Sequence, residues 1–224
     1  MTTGGPPSGP VAEDLSRVTQ VVLVRHALPL TGVTQDPSLA VQGRFQAARA
    51  GAWLRWENPA AVVSSPYLRA LETAQAIAAA AALPVGLDED LREWSARRPD
   101  QYITPEMLGD TDRGRAFAEG RFADFVPVHD RAELTHRMTA AITRAARPWP
   151  GRTVIAVSHG GAINNLLAHV LDLKETFFFN PGYAGLSRIQ VMPSGRMVVL
   201  SVNETAHLLA DRHAATEVRA EDAG

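Results

Sequence analysis

Three short stretches of the chain carry side chains able to handle an anion. Val21-Val22-Leu23-Val24 runs straight into Arg25 and His26. Ser64-Ser65 is followed one helical turn later by Arg69, and Thr153 to Val157 runs through Ser158 into His159, Gly160 and Gly161. Taken alone, an arginine and a histidine after an apolar run read as a strand-end charge beside a core histidine. Two apolar runs with basic endings, far apart in the chain, argue instead for a shared site. Guanidinium forks match phosphate oxygens bidentately, and the N–H groups at a helix start favour negative charge. Two arginines, two histidines and such a helix start suit a tetrahedral dianion. Neighbouring guanidiniums disfavour an imidazolium, which keeps a histidine nucleophilic near neutral pH.

The elements that must position these residues follow from periodicity. Val21 to Val24 reads as a strand buried on both faces, so Arg25 and His26 fall at its C-terminal end, where open α/β sheets bind ligands. Leu28 to Leu39 is turn-rich and reads as a loop over that end. Gln42 to Trp56 is an amphipathic helix with Phe45, Ala48, Ala52, Trp53 and Trp56 on its apolar face. Ala60 to Ser64 is a strand, and Ser65-Pro66 predicts a helix with Ser65 as N-cap and Pro66 in the first helical position. Leu83 to Leu87 is a brief strand, followed by the acidic run Asp88 to Glu93. Residues 95–127 read as a helical cover over the sheet ends. Arg131 to Arg147 is a helix burying Leu134, Met138, Ala141, Ile142 and Ala145. A strand at Val154 to Val157 leads to a helix over Ala162 to Leu171, and Leu186 to Val202 forms a hairpin about Pro193-Ser194-Gly195. The fold class is α/β: a three-layer sandwich with a mostly parallel sheet, helices on both faces and an antiparallel edge hairpin. One domain over residues 18–212 is expected, between a disordered leader (1–17) and a polar tail (213–224).

Composition narrows the function. Hydrophobic residues make up 46% and charged residues 21% of the chain, ordinary for a globular protein, and the formal net charge of -2 offers no field to attract nucleic acid or a membrane surface. The chain has no cysteine, so disulfides, thiolate catalysis and Cys-ligated zinc are excluded. No apolar run reaches the roughly 18 residues of a membrane span, and no signal peptide opens the chain. A cytoplasmic protein is expected.

Leu23-Val24-Arg25-His26, the run Ser64-Ser65-Pro66-Tyr67-Leu68-Arg69-Ala70-Leu71-Glu72-Thr73-Ala74, and Val157-Ser158-His159-Gly160-Gly161 together resemble, in order, the three signatures of the histidine phosphatase superfamily. That group contains the cofactor-dependent phosphoglycerate mutases and many phosphatases, and the similarity covers about Val21 to Leu208. The resemblance implies that His26 is the phosphorylated nucleophile and that Arg25, Arg69 and His159 hold the phosphoryl group. The His-Gly-Gly sequence points to the larger branch, whose acid follows the third strand; the pattern there matches Leu91-Arg92-Glu93 and makes Glu93 the catalytic acid, with Glu89 and Asp90 in reserve. No metal and no cofactor are implied. The expected partner is a small phosphorylated metabolite, hydrolysed through a phosphohistidine. Phosphoryl transfer of the mutase type and an idle phosphate-binding regulator are the alternatives. The lack of a glycine-rich stretch after the acid favours the phosphatase.

This chain departs from the family pattern at Ala27, Leu28 and Gly32, where Gly, Glu and Asn are usual; Thr31 or Thr34 is a substitute phosphate ligand. Arg92, Arg97 and Arg98 are either solvated or readers of a second anionic group. Asp88-Glu89-Asp90 superficially resembles the Asp-x-Asp of haloacid-dehalogenase phosphatases, but its strand is stunted and it comes too late in the chain. His129, His136, His169 and His213 lack metal-ligand spacing and read as surface residues, and His207 reads as structural. Phe177-Phe178-Phe179 is core or a homodimer contact.

Overall fold

The computed structural model describes residues 13–30, 36–94, 111–121 and 131–209. Six strands form one sheet: β1 (Thr19–Arg25), β2 (Ala61–Ser64), β3 (Val85–Leu87), β4 (Thr153–Ser158), β5 (Leu186–Val191) and β6 (Met197–Glu204), in the order β3-β2-β4-β1-β5-β6. The first four in that order run parallel, and β5 and β6 are antiparallel additions beside β1. Among the described residues the α-helices are α1 (Val41–Leu54), α2 (Leu68–Ala81), α3 (Asp112–Ala118), α4 (Arg131–Ala146) and α5 (Gly160–Val170).

Alternation along the strands feeds two cores. Val22, Val24, Ile155 and Val157 pack with Ala50, Leu54, Ala74 and Ile77 of α1 and α2. Val21, Leu23, Val154 and Ala156 pack with Leu134, Met138, Ile142, Ile163 and Leu166 of α4 and α5. The continuous apolar runs of β1 and β4 are what a strand covered on both faces requires. β1 and β4 are neighbours in register, Arg25 opposite Ser158, yet their chains leave toward opposite faces of the sheet, into α1 and α5. A crevice opens at such a switch point, beyond the carboxyl ends of the strands.

Several expectations are corrected. The α1 helix is present, but it ends at Leu54 and its predicted face is turned outward: Phe45 is 67% exposed, Ala48, Ala52 and Trp53 are also exposed, and Trp56, in the 3-10 turn Arg55–Glu57 that follows, is 77% exposed. The buried face is Gly43, Ala47, Ala50, Gly51 and Leu54. Small residues win because α1 lies close on α2; a Cβ on Gly51 would come within 2.8 Å of the Ala76 carbonyl oxygen. Ser65 and Pro66 do not open α2, which starts at Leu68 after Tyr67. The carboxylate of Asp36 accepts from the Leu68 N–H instead, at 2.9 and 3.0 Å. Helix α5 begins at Gly160, two residues before the predicted start. Within the predicted leader, Leu15–Arg17 form a 3-10 turn capped by Asp14, and residues 1–12 lie outside the described residues. Phe177 is buried, and Phe178 and Phe179 pack on the α4/α5 core, so the aromatic run is core. Of the expected cover, α3 is helical; residues 95–110 and 122–130, with Arg97, Arg98 and His129, lie outside the described residues, as do Thr31, Thr34 and residues 210–224, which include the predicted tail and His213. No helix among the described residues is long and apolar enough to cross a membrane.

Candidate active site

The ends of β1, β2 and β4 bring Arg25, His26, Arg69 and His159 together, and all four are buried. Backbone hydrogen bonds lock the three ends: the His26 N–H donates to Ser158 (2.9 Å), the Ser65 N–H to Val157 (3.0 Å) and the Arg25 N–H to Gly185 (3.1 Å). The His26 and His159 ring centroids are 5.2 Å apart.

His26 Nδ1 lies 2.8 Å from the Ala27 carbonyl oxygen. A carbonyl only accepts, so Nδ1 carries the proton and the lone pair sits on Nε2. Arg69 Nε donates to that Nε2 at 3.3 Å. Burial, then Arg69, then Arg25 push the His26 imidazole well below the usual histidine range. His159 is lowered in the same way, by burial first and then by Arg69. Both rings are neutral near pH 7, which suits His26 for attack on phosphorus. His159 Nε2 shares a 2.8 Å hydrogen bond with the Ser65 hydroxyl, the position the sequence had suggested for a helix cap. Among the described residues, two buried polar atoms here, Arg25 Nε and His159 Nδ1, have no hydrogen-bond partner. Such orphaned groups need a reason.

Glu93 reaches the start of α5. Its carboxylate accepts from the N–H groups of Gly161 (3.0 Å), Ala162 (2.8 Å) and Trp94 (2.9 Å). A Cβ on Gly161 would stand 2.6 Å from Glu93 Oε1 and 2.5 Å from Trp94 Cδ1, so the second glycine of His-Gly-Gly leaves room for the carboxylate. The reserve acids are engaged elsewhere: Glu89 pairs with Arg92, and Asp90, with Asp88, pairs with Arg144 on a partly exposed surface. Arg92 is thus a surface ion-pair partner. His136 and His169 are exposed, and the His207 side chain is buried against the Ala184 backbone, as a structural histidine should be. Among the described residues no three His, Asp or Glu side chains are grouped to hold a metal.

Sequence reasoning missed three contributors. Tyr183 lies under the Arg25 guanidinium, 3.8 Å from its carbon to the ring centroid, and 5.7 Å from the His26 ring. The Pro181 carbonyl accepts from Arg25 Nη1, so one loop grips both the face and the edge of that guanidinium. Tyr67 packs edge-on to His159 at 5.4 Å and faces Arg69 at 4.9 Å. Asp36, besides starting α2, lies 3.3 Å from Arg69 Nη1. Tyr67, two residues before Arg69, could have been suspected; Asp36 and Tyr183 carry no local signal.

The family model of the histidine phosphatase superfamily (branch 1) matches residues 21–205. A probable phosphoglycerate mutase of Yersinia enterocolitica is 30% identical, over 84% of this chain and 94% of its own length. The glucosyl-3-phosphoglycerate phosphatase of Mycolicibacterium vanbaalenii is 31% identical, over 70% and 76%. Among solved structures, phosphoserine phosphatase from Entamoeba histolytica in complex with phosphoserine superposes with a TM-score of 0.65 at 26% identity, over 85% of this chain and all of that one. With the motifs, the sheet order and the family match in agreement, this chain belongs to branch 1 of the histidine phosphatase superfamily.

Proposed function

We propose that this chain hydrolyses small phosphomonoesters through a phosphohistidine at His26, with no metal in the chemical step. His26 Nε2 attacks phosphorus; the N–P bond forms as the ester P–O bond breaks, and the leaving oxygen takes a proton from Glu93. Arg25, Arg69 and His159 hold the nonbridging oxygens, where charge develops and fixed positive groups act most strongly. The proton on His26 Nδ1 stays against the Ala27 carbonyl and supports the phosphorylated ring. Water then attacks phosphorus as the N–P bond breaks and returns its electron pair to His26 Nε2, Glu93 accepts the water's proton, and inorganic phosphate leaves. The observation that carries this reading is the His26 tautomer: Nδ1 is tied to Ala27, so the Nε2 lone pair faces the buried Arg69 guanidinium.

A second reading, return of the phosphoryl group to a substrate hydroxyl, draws on the 30% identity to a probable phosphoglycerate mutase. One experiment addresses both. Radiolabelled phosphomonoesters, phosphoserine and 3-phosphoglycerate among them, are incubated with the protein with and without EDTA. Label is then followed into protein, inorganic phosphate and isomeric esters. Acid-labile label on protein and release of phosphate are expected, unchanged by EDTA and abolished by His26→Ala with the circular dichroism preserved. Label passing to an isomeric ester favours the mutase, labelling that survives His26→Ala refutes the nucleophile, and loss of turnover in EDTA refutes the metal-free step.

A further inference from the structure

Glu93 stands in a stretch with little regular structure of its own, just after the 3-10 turn Glu89–Leu91. Three main-chain carbonyls of that stretch converge on one side chain of α4. Arg137 Nη1 donates to the carbonyls of Asp90 (2.8 Å) and Arg92 (2.5 Å), and Nη2 donates to that of Glu93 itself (2.9 Å). The Arg137 side chain is 11% exposed, and Glu133, one turn back, is 3.9 Å away. A guanidinium buried this far is costly unless its protons are taken. Here three of them are taken by the carbonyls of one short backbone segment, an arrangement that a rigid fork of donors can satisfy and a point charge cannot. A second tie holds the same segment to the sheet: the Ser158 hydroxyl, next to His159, donates to the Leu91 carbonyl at 2.7 Å.

We propose that Arg137 is a positioning residue for the protonation step, holding the backbone of residues 90–93 so that the Glu93 carboxylate stays seated at the start of α5 beside the leaving oxygen. This rests on Glu93 being the acid. Arg137 acts through the backbone it grips, so its loss affects the step that needs a well-placed proton and spares the phosphate-binding groups on the other strand ends.

The test compares the rapid phosphorylation burst for an alkyl phosphate, whose alkoxide needs the proton, with that for p-nitrophenyl phosphate, whose phenolate hardly does. Glu93→Gln, which removes the proton source, is expected to slow the alkyl phosphate burst by about 10²–10⁴ and the aryl burst far less. Arg137→Met, which keeps the stem and removes the donors, is expected to slow the alkyl burst by roughly 10–10², the scale of an ångström's misplacement, while the aryl burst and inhibition by inorganic phosphate move by about twofold or less. Arg137→Lys keeps the charge without the fork and should show the same selectivity to a smaller degree, which serves where the methionine variant folds poorly. Glu133→Gln should leave both bursts unchanged. If Glu93→Gln is selective but both Arg137 variants slow the two substrates equally, or neither, Arg137 is a structural residue only. If Glu93→Gln is itself unselective, the acid assignment fails first.

Discussion

Arg69 is a guanidinium with almost no access to water, at 1% exposure, and its surroundings account for its place there. Nε points at His26 Nε2, Nη1 at Asp36, and the Tyr67 ring covers one face. These contacts define the plane of the fork, and a planar fork recognises a phosphoryl group through paired donors. Charge alone does not reproduce that geometry. Arg69→Ala is expected to lower kcat/KM by roughly 10² or more, because the lost contacts tighten as charge develops on the transferring oxygens. Arg69→Lys should recover little of it. Steady-state kinetics on both variants decides the matter, and near-complete activity in the lysine variant would show that only a positive charge is needed.

At the scale of elements, α1 illustrates how packing distance chooses a face. Its aromatic residues fall at helical spacing, as a buried stripe would, yet the stripe of Gly43, Ala47, Ala50, Gly51 and Leu54 faces the core. A helix carrying glycine and alanine on one side approaches α2 closely, whereas Phe45 and Trp53 would hold the two apart. Leu54→Ala, which empties a fully buried position, is expected to cost about 2–5 kcal/mol. Phe45→Ser, despite removing a larger apolar side chain, should change stability by no more than about 0.5 kcal/mol. Urea unfolding of the two variants checks this. A larger loss from Phe45→Ser than from Leu54→Ala would mean that the aromatic stripe is covered in solution.

The two cores and the buried site together give the whole molecule a pH dependence. His26 and His159 are lowered well below their ordinary value, chiefly by burial, and His207 is lowered by the same cause. Below the unfolded value near pH 6.5, the unfolded chain therefore binds protons that the folded chain refuses. Stability is fully present above that pH and falls as the pH drops through the window toward the lowered values. Each such imidazole steepens the decline by up to about 1.4 kcal/mol per pH unit. Urea midpoints at pH 7.5 and 5.5 should differ accordingly, and His159→Asn should flatten the difference. A midpoint as high at pH 5.5 as at 7.5 would mean that these rings accept protons in the folded state.

The sequence by itself determined the strand ends and what they carry. A continuous apolar run must end where a charge begins, so Arg25, His26 and His159 were placed at the edge of a parallel sheet by chain order alone. The buried stripe of α4 was equally legible: four of its five predicted residues are buried and the fifth, Ala145, is partly so. Glu93 was read from a motif, and the tertiary structure decided its setting, because the N–H groups it meets lie 68 and 69 residues further on. Only the folded chain could bring Asp36 to the start of α2, Tyr183 under Arg25, or Arg137 to the backbone of Glu93. Periodicity reports what a segment prefers to hide from water. It does not report which neighbour comes near enough to hide it, and at α1 a glycine against an alanine helix outweighed the rings of Phe45 and Trp53.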